Sequence, residues 1–142
     1  MSEIEFAQAF LEKAKEDLRS ARVLEKNRIY ANALYFAQQA AEKAAKALLI
    51  IYGKFTPEHV ISELLIEIAS QLPEKEEKKV EKLSEHIFEL ERYWLKPRYP
   101  IKKGDKIWNP VRTYSKLEVK KAVERAEECI KIVEEFLRDV EE

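Results

Sequence analysis

Apolar residues recur every three or four positions along most of this chain, a spacing typical of α-helices that bury one face. The first such stretch is Glu3–Leu24, and its inward positions are Phe6, Phe10, Ala14, Leu18 and Ala21. The turn Asn27–Ile29 leads into a second helix at Tyr30–Tyr52, and a connection this short predicts that the two helices are antiparallel neighbours. Gly53 suits the position just past a helix end.

Three further helices are predicted. Thr56 and Pro57 suit the N-cap and first position of the third helix, whose apolar face is Ile61, Leu64, Leu65 and Ile68. A highly charged fourth helix follows at Glu74–Leu95. Ser115 and Glu118 form a capping-box pattern that opens the last helix, which runs to the acidic carboxyl end. The pattern predicts an all-α fold, a single-domain up-and-down bundle of about five helices over residues 1–142.

Composition agrees with a helical fold and excludes several classes of protein. The 142 residues include two glycines, which is few for a chain with many tight turns. The net charge is −1, so no overall field attracts nucleic acid or membrane. A single cysteine, Cys129, excludes an internal disulfide and predicts a small core residue. We expect a cytoplasmic protein without a membrane span, a metal or a cofactor, and the abundance of Lys, Glu and Arg suggests a thermophilic source.

The second helix is apolar or small nearly all round, except for one polar stripe. The stripe is formed by Gln39, Glu42, Lys43 and Lys46, which share a face because they are spaced i, i+3, i+4 and i+7. Charge on a central helix is either paired or lines an interface or a cleft. Two interpretations are open: a functional face, or a solvated face beside the core in which Glu42 and Lys46 form an ordinary helical ion pair.

The segment Lys96–Tyr114 is predicted to be a long irregular loop, because its prolines and glycine prevent a continuous helix. It is strongly basic, with a single acidic residue, Asp105, against Lys96, Arg98, Lys102, Lys103, Lys106 and Arg112. Aromatic residues in and just before it are Tyr93, Trp94, Tyr99, Trp108 and Tyr114. Cations neutralise phosphates and aromatic rings stack on bases, which favours a nucleotide or single-stranded RNA as ligand. The alternative is that the aromatics pack the loop onto the bundle and the cations pair with nearby acidic helices.

Two segments together resemble the HEPN domain family of prokaryotes. The first is the run Tyr35–Leu49 followed by Gly53, with His59 expected to open the next helix, and the second is the tripeptide Arg98-Tyr99-Pro100 ahead of the last helix. The resemblance implies a helical bundle that forms a homodimer. It also implies a nucleotidyltransferase partner, often in a toxin–antitoxin pair.

Many members of this family are metal-independent RNases that use an Arg followed, after four to six residues, by a His. That motif is absent here, because neither His59 nor His86 follows an arginine at this spacing. Cleavage needs a group that transfers protons near neutral pH, so RNase activity would require a non-standard site. The candidates for such a site are Arg98, His59 and Tyr99.

The resemblance also supplies candidate ligand residues. They are the polar stripe with Arg98 and Tyr99, to which the charge pattern adds Arg92 and Lys102: in full, Gln39, Glu42, Lys43, Lys46, Arg92, Arg98, Tyr99 and Lys102. Arg98 would bind phosphate through its planar guanidinium group, and Tyr99 would stack on a base. Arg92 is otherwise expected to pair with Glu89 or Glu85, and His86 is expected to be exposed.

Three functions are consistent with these observations. The first is a HEPN-type protein that binds a nucleotide or RNA and acts with a nucleotidyltransferase in a toxin–antitoxin, stress or defence system. The second is a metal-independent RNase with a non-standard site. The third is an interaction module without a ligand, whose long helices bind a partner protein.

Overall fold

Five helices account for most of the protein. The computed structural model describes residues 3–59 and 61–141, and the helices are α1 (Glu3–Lys26), α2 (Tyr30–Ile51), α3 (Ser62–Ala69), α4 (Glu74–Glu91) and α5 (Lys116–Glu141). The all-α fold predicted from the periodicity is confirmed. The bounds of α1 and α2 agree with the prediction to within two residues, and position 142, at the predicted end of the last helix, lies outside the described residues.

Helix α2 lies at the centre of the fold, in contact with α1, α4 and α5. Small side chains allow this packing, since seven of its alanines are completely shielded from solvent: Ala33, Ala37, Ala40, Ala41, Ala44, Ala45 and Ala47. Leu34, Leu48 and Leu49 fill the remaining space. Cys129 of α5 joins the same apolar core, as predicted. No helix within the described residues is long and apolar enough to cross a membrane.

Two left-handed residues end the first two helices and so set the course of the chain. Gly53 has a φ of +69°, and the amide of Lys54 donates to the carbonyl of Leu49 at 2.8 Å. The predicted role of Gly53 is therefore confirmed. Arg28 takes the equivalent place after α1, with a φ of +62°, and the amide of Ile29 donates to the carbonyl of Leu24 at 2.9 Å.

The predicted start of the third helix is wrong. Helix α3 begins at Ser62 and not at Pro57, and position 60 lies outside the described residues. The Thr56 hydroxyl accepts a hydrogen bond from the amide of Glu58 at 3.2 Å, so it closes a local turn instead of capping a helix. The fourth helix is also shorter than predicted, because it ends at Glu91 and turns follow as far as Leu95.

The basic segment between α4 and α5 is ordered, contrary to the prediction of an irregular loop. It contains a 3₁₀ turn at Lys96–Arg98, an antiparallel pair of strands, β1 (Ile101–Lys103) and β2 (Lys106–Trp108), and a second 3₁₀ turn at Pro110–Arg112. Gly104 lies in the two-residue connection with a φ of +63°, a conformation that glycine adopts readily and that suits tight hairpins.

Packing of aromatic rings holds this hairpin on the bundle. The Trp108 ring meets Tyr114 edge to face at 5.9 Å, and Tyr114 meets Tyr93 in the same way at 6.0 Å. The Tyr93 hydroxyl donates to the Glu118 carboxylate at 2.6 Å, while the Glu118 amide donates to the Ser115 hydroxyl at 3.1 Å. The predicted N-cap of the last helix is confirmed. The same residues therefore open α5 and anchor the hairpin.

Candidate functional site

The polar stripe of α2 centres on the carboxylate of Glu42. Glu42 is 4% exposed, and it accepts a hydrogen bond from the Gln38 amide nitrogen at 3.0 Å. Lys46, which is 6% exposed, brings its Nζ to 3.4 Å from the same carboxylate. The interpretation of this stripe as a solvated face is therefore wrong for Glu42 and Lys46. Two charges withdrawn from water in this way must be held by partners, and Glu42 has them.

His59 is the third partner of Glu42. Its Nδ1 lies 3.0 Å from Glu42 Oε2, and its ring stacks on the indole of Trp94 with centroids 4.6 Å apart and 27° between the planes. His59 lies in the irregular segment before α3 and not in the first helical turn where it was predicted. Its side chain is 44% exposed. When a neutral imidazole donates Nδ1–H to the carboxylate, Nε2 carries a free lone pair for a ligand.

Arg98 lies against the same tryptophan. Its Nε donates to the Trp94 carbonyl oxygen at 2.8 Å, and its guanidinium carbon is 4.9 Å from the ring centroids of both Tyr35 and Trp94 and 5.5 Å from that of Tyr99. Among the ion pairs of the described residues, none involves Arg98. The terminal guanidinium nitrogens therefore remain available to an anion. We call the group Tyr35, Glu42, His59, Trp94, Arg98 and Tyr99 the His59–Arg98 site.

Lys43 and Gln39 connect this site to α1 through hydrogen bonds. Lys43 Nζ donates to Asp17 of α1 at 2.7 Å and to the Gln39 side-chain oxygen at 3.0 Å. The Gln39 amide nitrogen donates to Gln38 at 2.8 Å, and Gln38 donates to Glu42. A continuous hydrogen-bonded chain thus runs from α1 to the Glu42 carboxylate. The charge of Lys43 is neutralised by Asp17, which is 2% exposed.

A second acidic residue lies close to Glu42. Both carboxylate oxygens of Glu91, at the end of α4, are shielded from solvent. Burial raises the pKa of the Glu91 carboxyl, contacts with the hydroxyl and amide of Ser62 oppose that shift, and the charges of Glu42 and Glu63 add to it. Glu91 therefore places a carboxyl group at the amino end of α3, next to the segment that carries His59.

Two predicted ligand residues, Arg92 and Lys102, have no hydrogen bond, ion pair or ring contact with the His59–Arg98 site within the described part of the chain. Arg92 is exposed and pairs with Glu89 at 2.8 Å, one of the two expected partners. It lines a cavity of about 390 Å³ between α4 and α5, together with Tyr93, Glu118 and Lys121. Lys102 is exposed on strand β1.

The prediction that His86 is exposed is wrong. Its ring is half-buried, and Arg125 of α5 donates to its Nδ1 at 3.0 Å. Burial, with the positive charges of Arg125 and Lys82, lowers the pKa of His86. His86 therefore belongs to the packing between α4 and α5.

Several residues that contribute to the site were not predicted from the sequence, although the helical spacing indicated some of them. Tyr35 and Gln38 precede Glu42 by seven and four residues, which places them on the same helix face. Asp17 shares the inward register of Ala14 and Ala21, so an acidic residue facing α2 could have been predicted. Glu91 gave no such signal. Within the described residues, no group of three or more His, Cys, Asp or Glu side chains could hold a metal ion.

Comparison with known proteins identifies the family. The HEPN domain family model matches residues 7–142. The chain belongs to the HEPN domain family. It is 33% identical over 138 residues to the protein named "Putative toxin MJ1304" of Methanocaldococcus jannaschii, an alignment that covers 96% of this chain and 91% of that protein.

Solved structures of similar proteins have the same fold. TT1696 from Thermus thermophilus is 34% identical, with a TM-score of 0.69, over 91% of this chain and 96% of its own. ST0689, an archaeal HEPN homologue, has a TM-score of 0.66 at 24% identity, over 96% of this chain and 99% of its own, and shows similarity of fold alone. The HEPN domain protein TM0613 of Thermotoga maritima is 25% identical, with a TM-score of 0.58, over 92% of this chain and 98% of its own.

Proposed function

We propose that this HEPN protein binds a nucleotide or an RNA strand at the His59–Arg98 site, and that it acts with a nucleotidyltransferase partner in a toxin–antitoxin or defence system. The observation that carries the proposal is the position of Arg98. A guanidinium group fixed on aromatic faces, with no carboxylate in an ion pair with it among the described residues, is arranged to receive an anion.

The surrounding side chains suit the rest of a nucleotide. Tyr99 is 53% exposed and adjoins the Arg98 guanidinium, so its outer face is available for stacking on a base. The exposed edge of His59 offers the ligand a polar contact, and the Glu42 carboxylate holds the His59 ring in place. Glu42 and Lys46 are too deeply buried to meet a large ligand directly, and we assign them the role of fixing His59.

The binding test is calorimetric titration of the protein with AMP, ATP and a twelve-nucleotide oligo-U in EDTA. The Arg98→Glu variant should lose binding of every ligand that the native protein binds, while its circular dichroism stays native. Arg19→Glu, which makes the same charge change on the exposed face of α1, is the matched control and should keep the native affinity. Equal affinity of the Arg98→Glu and native proteins would reject the site.

RNA cleavage at the same site is a second candidate, supported by the contact between His59 and Glu42. Nε2 of His59 would take the proton of a ribose 2′-hydroxyl, the 2′-oxygen would attack the adjacent phosphorus, and Arg98 would stabilise the negative charge on the phosphate oxygens. The 5′-oxygen would leave with a proton donated by water or Tyr99. The products would be a 2′,3′-cyclic phosphate and a 5′-hydroxyl.

This candidate predicts cleavage in EDTA that is lost in both His59→Gln and Arg98→Ala. Full-length RNA after long incubation with the native protein would reject cleavage and leave binding as the function. Replacing the ribose with deoxyribose at every position should also abolish cleavage, because the attacking oxygen is then missing.

The partner proposals are tested separately. The likeness to a protein named as a toxin supports the toxin–antitoxin setting, and the family resemblance supports a homodimer and a nucleotidyltransferase. Light scattering on the purified chain should give twice the mass of one chain, which is 16.7 kDa. Co-expression of the tagged chain with the open reading frames beside its gene should yield a nucleotidyltransferase complex. Recovery of the chain as a lone monomer would reject both proposals.

A further inference from the structure

The strands β1 and β2 carry a second group of cations, which begins four positions after Arg98 in the chain. Lys102, Lys103 and Lys106 are exposed, and none of them takes part in an ion pair within the described part of the chain. The expectation that loop cations pair with acidic helices is therefore wrong for these three lysines. The opposing charge on the hairpin is Asp105 at its tip.

The hairpin is held in a defined place relative to Arg98. The turn that carries Arg98 contacts α2 and also contacts the turn that follows β2. Lys96 of that turn lies over the Trp108 ring at 5.7 Å, and Trp108 packs on Tyr114. Lys102 follows Arg98 by four positions, which limits their Cα separation to about 14 Å. Lys102 therefore lies close enough to Arg98 for one strand of several nucleotides to contact both residues.

The register of the strands determines which lysines share a face. Lys103 pairs with Lys106 on one face of the hairpin, and Lys102 pairs on the other face with Ile107, which is 73% exposed. Lysines directly opposite each other repel, so the fold gains nothing from Lys103 and Lys106 in this arrangement. An anionic ligand lying along the hairpin would relieve that repulsion.

We infer that the ligand is a single-stranded polynucleotide several residues long, with one nucleotide at the His59–Arg98 site and the neighbouring phosphates along the Lys102–Lys106 hairpin. This inference rests on the proposed binding function and narrows its ligand from a mononucleotide to a strand. A mononucleotide would occupy the Arg98 end and leave the three hairpin lysines without a role.

The test compares three ligands on the native protein and two variants. Binding of labelled twelve-nucleotide oligo-U and oligo-dT is followed by fluorescence anisotropy in EDTA at several salt concentrations, and binding of UMP is followed by calorimetry. The test variant is Lys102→Gln/Lys103→Gln/Lys106→Gln. The matched control is Lys75→Gln/Lys78→Gln/Lys82→Gln, which removes three exposed lysines from α4.

The hairpin variant should bind the strand roughly tenfold more weakly at low salt. The slope of the logarithm of the binding constant against the logarithm of the salt concentration should be smaller by about two, because each phosphate contact contributes about 0.7 to it. Its affinity for UMP should equal that of the native protein, and the α4 control should resemble the native protein with both ligands. Tighter binding of oligo-U than of oligo-dT would identify RNA as the source of the strand, and equal binding would support single strands of either kind.

Unchanged strand affinity in the hairpin variant, while Arg98→Glu still abolishes it, would overturn the inference and leave the proposed function standing. An equal loss for UMP and for the strand would also overturn it, because the hairpin would then act on the mononucleotide site. If neither ligand bound the native protein, the proposed function itself would fail, and the exposed hairpin would be assigned to a protein partner.

Discussion

The imidazole ring of His59 stacks on the indole ring of Trp94, with the centroids 4.6 Å apart, although 35 positions separate the two residues in the chain. Trp94 also supplies a ring for the Arg98 guanidinium and a carbonyl oxygen for its Nε. One side chain thus brings together the histidine of the segment before α3 and the arginine that follows α4. The HEPN pattern of an arginine and a histidine close in sequence is absent here, but an arginine and a histidine both contact the ring of one tryptophan.

The planar shape of the Arg98 side chain is expected to matter as much as its charge. Lysine keeps the charge but cannot stack flat on Trp94 and Tyr35 or donate from a fixed Nε. Arg98→Lys should therefore weaken oligo-U binding by about tenfold, the size of one lost charge-assisted contact of roughly 1.4 kcal/mol. Fluorescence anisotropy measures the affinity, with Arg19→Lys on α1 as the control. Native affinity in Arg98→Lys would show that charge alone suffices.

We expect the loss of one member of the Glu42–Lys46 ion pair to destabilise the fold more than the loss of both members. Glu42→Gln leaves the Lys46 ammonium buried without its counter-charge, and should lower the free energy of unfolding by about 3 kcal/mol. In Glu42→Gln/Lys46→Met the unpaired charge is gone, so much of that loss should be recovered. Urea unfolding of the native protein, both single variants and the double variant gives the coupling energy.

Glu12→Gln, on the exposed face of α1, is the control for this cycle and should change stability by less than about 0.5 kcal/mol. Strictly additive effects of the two single variants would contradict the account of Glu42 and Lys46 as a coupled buried pair.

His86 is expected to make the fold less stable in acid. Because its pKa is lowered in the folded protein, the unfolded chain binds more protons than the folded chain at pH values between the folded pKa and the ordinary value near 6.5. Stability should therefore fall as the pH drops below about 6.5. His86→Gln removes this contribution, so the difference in unfolding free energy between pH 7.5 and pH 5 should be smaller than in the native protein. Identical differences in the two proteins would exclude His86 as a source of the acid sensitivity.

Local patterns in the sequence predicted the helices well because each depends on near neighbours. The spacing of Phe10, Ala14, Leu18 and Ala21 defined α1, and Gly53 marked the end of α2. The same local reasoning failed at Thr56 and Pro57, where the capping signal closes a turn and α3 begins only at Ser62. His59, in the segment between them, contacts Glu42 and Trp94 instead of starting a helix.

The candidate site could be predicted only in part, because it is assembled from distant segments. Arg98, Tyr99, His59 and Glu42 were all named from the sequence, but nothing in it showed that His59 and Arg98 both contact Trp94. Lys43 was expected to add positive charge to the ligand site, and the structure instead places its ammonium group on Asp17. Side-chain pairing across helices depends on the packing of α1 on α2, which periodicity alone does not give.

The central claim is that a nucleotide binds at the His59–Arg98 site, which contains Trp94, and the fluorescence of the two tryptophans, Trp94 and Trp108, tests it most directly. Oligo-U is titrated in EDTA into Trp108→Phe, in which Trp94 alone emits, and into Trp94→Phe, in which Trp108 alone emits. We predict saturable quenching in Trp108→Phe that disappears when Arg98→Ala is added, with a weaker response in Trp94→Phe. Saturable quenching confined to Trp94→Phe, or none in Trp108→Phe at concentrations where anisotropy shows binding, would contradict the assignment of the site.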